Sequence, residues 1–454
     1  FDGVEKENVV LEIPEIAIQQ YNSAPGWCEF KKITAHRKLV CRPSELKTLN
    51  GRTERQLVLD AEGKWGVVSK PDWCTLSTMS GEKKTELTLT IDAGSESREG
   101  EIVFKLDEYD YTTTCRVAQY YYEHEEDEEI TLQTHSRGKG INLVFLGDGF
   151  DAENISNGDY LRVMNEQMER FFDIEPYHTY RDYFNVSTAI AVSPESGIGT
   201  VNTIRNTKFE TTFTGEVGLR GNYSTIFNYA MEVSPVDESN LNQSLIIVTP
   251  NTIDYGGITE MWTDGSAIAF CPLSEDSYPY DARGIIQHEA GGHGFGKLGD
   301  EYIYHNTFID FCDCTCCEHV FEFNIAKSLG WYENLSLTGK MHEVPWSHLI
   351  FDDRYSDVVD IYEGGFMHAR GVFRSEQNSC MNNNISYYNA ISREAIVKRI
   401  MEYAGESYSF EKFVENDKRD AVNSLSRSAE RPGVTVRGNQ YAPRIHKGKP
   451  DILK

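Results

Sequence analysis

The sequence predicts a multidomain protein in which an all-β sandwich is followed by an α/β domain built on a mixed sheet. Three observations carry this reading. Residues 35–120 alternate apolar and polar side chains at period two, in short stretches rich in β-branched and aromatic residues and broken by turns. Beyond residue 140, apolar residues at helical spacing alternate with compact apolar runs. Between the two, "EHEEDEE" is too acidic to pack and reads as a solvated linker. The boundaries that follow are a β-sandwich at 1–122, an acidic linker at 123–139, an α/β domain at 140–416 and a basic tail at 417–454.

In chain order, "RQLVLDAEGKWGVVS", "DWCTLSTMSG", "ELTLTIDAG", "GEIVFKLDE" and "TTTCRVAQYYY" are the sandwich strands. The second domain opens with "INLVFLGDGF", an apolar strand ending at a glycine turn. "NGDYLRVMNEQMERFFD" spaces apolar residues by three and four and predicts a helix, and "YFNVSTAIAVS", "QSLIIVTP" and "SAIAFCP" predict strands. The tail, "RPGVTVRGNQYAPRIHKGKPDILK", is punctuated by Pro and Gly and is expected to wrap the surface with little regular structure.

Composition narrows the function classes. The 454 residues suffice for two or three domains with sizeable cores. Seventy-one acidic against 44 basic side chains give a formal charge of −27, which argues against nucleic acid or an anionic membrane as partner. No apolar run reaches the roughly 18 residues of a membrane-spanning helix. The chain begins at Phe1 without a signal-like segment, so an exported protein whose signal has been trimmed is expected. Oligomeric state has no signature in the sequence.

The chemistry concentrates in "QHEAGGHGFGKLGDEY", residues 287–302. His288 and His293 are five apart. On an α-helix that spacing turns their side chains about 140° from each other, too far to share one ion. A π-bulge absorbs one residue and realigns them, and Gly291 and Gly292 lie between the histidines, where the backbone has most freedom to accept it. A catalytic zinc takes three protein ligands and keeps one position open. With a turn at Gly296, the third ligand is Asp300, or alternatively Glu301, which otherwise holds a ligand histidine from outside. Glu289, beside the first ligand, is the candidate general base.

The first domain resembles a BACON-type β-sandwich through Trp65, "DWCTLS" around Trp73, the Ser80-Gly81 turn, "SREGEIVF" and "VAQ". The second resembles the gut-bacterial IgA-peptidase family of metzincin-like zinc endopeptidases. That likeness rests on "LVFLGDGFDAEN", "RDYFNVSTAIAVSPESG", "YGG" at 255–257, "HEAGGHGFGKLGDEY" and "YEGGFMHARGVFRSEQNSCMNNN". It implies a metzincin-like fold, zinc as cofactor, and a protein or peptide substrate outside the cell, an immunoglobulin or mucosal protein among the candidates. It also implies a Met-turn at Met381 under the metal and a substrate-binding strand starting at Tyr255, Gly256 and Gly257. Many members carry H-E-x-x-H, so the extra glycine is a departure; the H-E-x-x-G-H helix of the dipeptidyl-peptidase III type shows that the longer spacing can hold zinc. The alternative function is an inactive zinc-binding surface protein that binds host glycoprotein or glycan. A third, an exopeptidase, would trim dipeptides from peptide ends.

Tyr387, Tyr388 and His368 are candidates to stabilise an oxyanion. Ten cysteines include a cluster, Cys312, Cys314, Cys316 and Cys317, followed by His319. In an exported protein, disulfides among these or to Cys271 or Cys380 are expected, with a second metal site as the competing reading.

Overall fold

The computed structural model describes residues 4–14, 17–36, 38–107, 110–215, 217–310, 319–419 and 442–452. The chain divides into two compact units, Phe1–Glu125 and Glu126–Lys454.

In the first unit, alternation does what period two requires. Leu57, Leu59 and Ala61 on Thr53–Ala61, and Leu87, Leu89 and Ile91 on Thr85–Ile91, point into one core, which they share with Ile102, Phe104 and Leu106 on Arg98–Leu106. The strands form a four-stranded and a five-stranded sheet, with Trp65 fully buried within this core. Gly81, read as part of a turn, lies instead on the strand Ser80–Glu82. A Cβ there would come within 2.7 Å of the Trp65 ring, so the glycine is needed for close approach. The sandwich does not reach the start of the unit. Val10–Pro14 and Lys32–His36 pair in parallel as a separate two-stranded sheet.

The second unit is built on a seven-stranded mixed sheet. Its centre is parallel: Phe184–Ala189, Ile141–Asp148, Leu245–Pro250 and Ala267–Phe270 lie side by side. Ile258–Trp262 runs antiparallel beside the last of these. The helix Asp159–Phe172 is strongly amphipathic, burying Tyr160, Val163, Met164, Met168 and Phe171. A smaller sheet contains Ile303–Phe308, Tyr362–Gly365 and Met367–Arg374.

Two boundaries differ from the sequence reading. Within the expected linker 123–139, Glu129–Gln133 forms an outer strand paired antiparallel with Phe184–Ala189; the acidic residues stay at its exposed start while Ile130 and Leu132 give it an alternating pattern. The expected structureless tail contributes the strand Arg444–His446, paired parallel with Glu260–Trp262. Its anchor is electrostatic: Arg444 and His446 approach the fully buried Glu260 at 3.2 and 2.7 Å. Asp417, placed at the start of the tail, is buried against Arg393. Among the described residues no helix is long and apolar enough to cross a membrane.

Candidate metal centre

The segment from Ala282 enters as an α-helix capped by Asp281, whose side chain accepts from the Gly284 amide, and continues as a π-helix over Gln287–Phe295. The five-residue spacing calls for one bulge; the structure widens nine residues. Two outside hydroxyls take carbonyls of this segment. Tyr177 donates to Gly291 at 2.6 Å, and Tyr388 donates to Gln287. Gln287 in turn clamps the segment to the C-terminal end of the helix Asp159–Phe172 through the carbonyls of Arg170 and Asp173. In i→i+5 bonding, residues five apart fall on one face, as residues four apart do on an α-helix. His288 and His293 therefore meet on one face, edge to face, with ring centroids 4.8 Å apart and planes at 80°.

The two glycines serve packing more than backbone freedom. A Cβ on Gly291 would lie 2.5 Å from the Tyr388 hydroxyl, and one on Gly292 would lie 2.2 Å from the Met381 sulfur. The turn after the helix also differs from expectation. Lys297 makes it, at φ +52°, while Gly296 keeps a helical conformation.

The turn delivers Asp300. His288 Nε2, His293 Nε2 and Asp300 Oδ1 lie 3.1 Å from one another in all three pairings, and all three residues are buried. The other ring nitrogens fix the tautomers. Nδ1 of His288 donates to the Cys380 carbonyl at 2.9 Å and Nδ1 of His293 to the Leu298 carbonyl at 2.8 Å. Since a carbonyl only accepts, two neutral imidazoles so held turn bare nitrogen lone pairs toward a carboxylate oxygen, and Asp300 Oδ2 has no hydrogen-bond partner. Three inward lone pairs repel unless positive charge lies among them. Burial alone would lower His288, yet Asp300 and Glu289 raise it to about 9; burial would raise Asp300, yet the two histidines lower it. The spacing is within a few tenths of an ångström of the roughly 3.3 Å between neighbouring ligands around a tetrahedral ion with bonds of about 2.0–2.1 Å. The donor set, two imidazoles and a carboxylate, fits zinc.

Glu301 is not part of this triangle. Its carboxylate accepts from Ser379 at 2.5 Å, Asn389 at 2.7 Å and Asn334 at 2.9 Å, and neither His288 nor His293 is among these partners. Its amide donates to the Met381 carbonyl, tying the chain beside Asp300 to the segment around Met381. Met381 is fully buried and packs against Gly292.

Glu289 lines a cleft with His288, Tyr302, Asn384, Val217 and Tyr255, Gly256 and Gly257. Thr259 bridges its carboxylate and its own carbonyl at 2.9 and 2.8 Å. Burial raises the Glu289 pKa, against the pull of the two histidines. Tyr302 and Thr259 escaped the sequence reading. Tyr302 follows Asp300 and Glu301 directly, which was the available cue; Thr259 lies two residues past "YGG". The proposed oxyanion groups are elsewhere: Tyr387 donates to Glu376, Tyr388 to Gln287, and His368 faces Thr307 and His319. Cys312, Cys314, Cys316 and Cys317 lie outside the described residues, while Cys271 and Cys380 are buried free thiols, not the disulfide partners expected.

Residues 130–326 match the family described as IgA peptidase M64, and the match spans the helix, both histidines and Asp300. This chain is similar to the IgA peptidase M64 family over that span. Residues 63–119 match BACON, described as a putative binding domain, N-terminal. Met381 lies beyond the span of the M64 match. No curated protein matches this chain. Among solved structures, a Bacteroides ovatus GH5 xyloglucanase in complex with a XXXG heptasaccharide is 16% identical over 24% of this chain and 26% of its own, with a TM-score of 0.19. WR4, a C. elegans MSP family member, is 13% identical over 19% of this chain and 100% of its own, at 0.16. The Vibrio cholerae VesB protease is 9% identical over 18% and 31%, at 0.15. The chain thus spans about a quarter of the xyloglucanase's length.

Proposed function

We propose that this chain is a zinc-dependent endopeptidase of extracellular proteins, with His288, His293 and Asp300 as metal ligands and Glu289 as general base. The convergence of three bare ligand atoms beside a buried carboxylate that lines the same cleft carries the proposal. Zinc held there supplies Lewis acidity, which polarises a carbonyl and acidifies a water molecule. Glu289 takes the proton of the water that attacks the scissile carbonyl and returns it to the leaving amine. Thr259 holds the carboxylate for that transfer. Tyr302, in place of Tyr387, Tyr388 and His368, is the donor to the developing oxyanion. Residues 255–257 lead into Ile258–Trp262, whose pairing with the tail strand begins only at Glu260, so the stretch nearest the cleft is the one on which a substrate backbone adds as a strand. Met381 supports the π-helix from below in the manner of a Met-turn.

Export, with the BACON-like sandwich as a spacer, is part of the same reading. The test is bound zinc together with cleavage of an unstructured protein such as casein. Glu289→Ala should keep the zinc and lose about 10²–10⁴-fold in turnover. Equal activity in wild type and variant would sink the assignment, and trimming of dipeptides from chain ends would make it an exopeptidase.

A further inference from the structure

A second group of histidines lies on the small sheet that follows Asp300. The strand Ile303–Phe308 pairs in parallel with Met367–Arg374, and the register sets His305 opposite His368. The helix His319–Ser328 begins at the third, His319. The ring centroids of His305 and His319 lie 5.6 and 5.1 Å from that of His368. His319 Nδ1 is 2.9 Å from His368 Nε2, and His368 Nδ1 is 3.1 Å from the Thr307 hydroxyl.

We infer that His305, His319 and His368 form a second site for a borderline divalent cation of the zinc class, separate from the cleft. The hydrogen bonds permit it. When Nδ1 of His368 donates to Thr307, its Nε2 is a bare lone pair, and the 2.9 Å gap to His319 is then bridged by a proton on His319. Moving that proton to the far nitrogen of His319 leaves two facing lone pairs near the spacing of adjacent ligands on one ion. His305 is exposed, so its side chain has the rotamer freedom to supply the third imidazole. His368 is fully buried, so its ring is held in place between Thr307 and His319. Neutral imidazole selects zinc, copper or nickel over calcium or magnesium. An ion here cross-links two strands and a helix start. It also braces the ligand strand, because the Phe366 and Met367 amides donate to the Asp300 and Tyr302 carbonyls.

The experiment is a Zn²⁺ titration of the metal-free full chain, read as equivalents bound at high affinity. Wild type should take two. His305→Ala/His319→Ala, which spares the buried ring, should take one and keep the other, and His288→Ala/His293→Ala should lose the complementary equivalent. His368→Gln should behave as the first pair does. Retention of the cleft equivalent reports that these variants fold. One equivalent in wild type, or two in His305→Ala/His319→Ala, overturns the site. Because the readout is stoichiometry, a chain that binds two ions and cleaves nothing would count against the proposed peptidase and not against this site.

Discussion

Asp300 and Glu301 are neighbours with the same charge and unlike surroundings. Asp300 turns one oxygen to two imidazoles and leaves the other unpaired, whereas Glu301 is saturated by Ser379, Asn334 and Asn389. Removing the first should therefore abolish metal binding: Asp300→Ala is expected to purify without zinc in the cleft while keeping its circular dichroism spectrum. Glu301→Gln keeps acceptor and size, so it should retain that zinc. If metal content fell in the glutamine variant instead, the ligand assignment would be reversed. That His288, His293 and Asp300 could meet was legible in their spacing, with Glu301 left as the alternative to Asp300. Tyr302 and Thr259 were not. A lone tyrosine or threonine has no such signature, and the sheet brings Thr259 to Glu289 across 30 residues.

For the helix, the period was readable and the width was not. Five-residue spacing demanded some departure from α geometry, but the hydroxyls of Tyr177 and Tyr388, both about 100 residues away, take carbonyls of the widened segment. Glycine was read as freedom and proved to be space. Gly292→Ala would drive a methyl group into the Met381 sulfur, and overpacking of this kind costs about 1–3 kcal/mol. The expected result is a lower thermal midpoint and weaker zinc binding, with Gly292→Ala/Met381→Ala recovering part of both. An unchanged zinc affinity in the single variant would show that the helix does not depend on that contact. Strand positions in both units followed from alternation and apolar runs. Misjudged segments include 10–14 and 32–36, which form a sheet apart from the sandwich, and 129–133 and 444–446, whose pairing is decided by a distant partner.

At the scale of the whole molecule, a buried carboxylate away from the cleft sets a pH dependence. Burial, only partly offset by Arg393, the Ala390 amide and Tyr387, raises Glu376 from 4.5 to about 7. A raised carboxyl pKa means the folded state favours the proton. Its contribution is full below about 4.5 and is lost as pH rises through 7, on the order of 3 kcal/mol in all. Glu376→Gln should flatten the fall in stability between pH 5 and 8 and melt above wild type at pH 8; urea unfolding at the two pH values measures both. A wild-type curve without slope in that window would contradict the assignment.

The strand Arg444–His446 has a temporal consequence. Its partner Glu260 is made 184 residues earlier than Arg444. A chain emerging in order has the cleft strand Ile258–Trp262 long before the segment that covers its outer edge. For that interval the edge is open and carries a buried-type carboxylate with neither Arg444 nor His446 beside it. The edge from Glu260 to Trp262 is therefore completed only once residues 444–446 have been made.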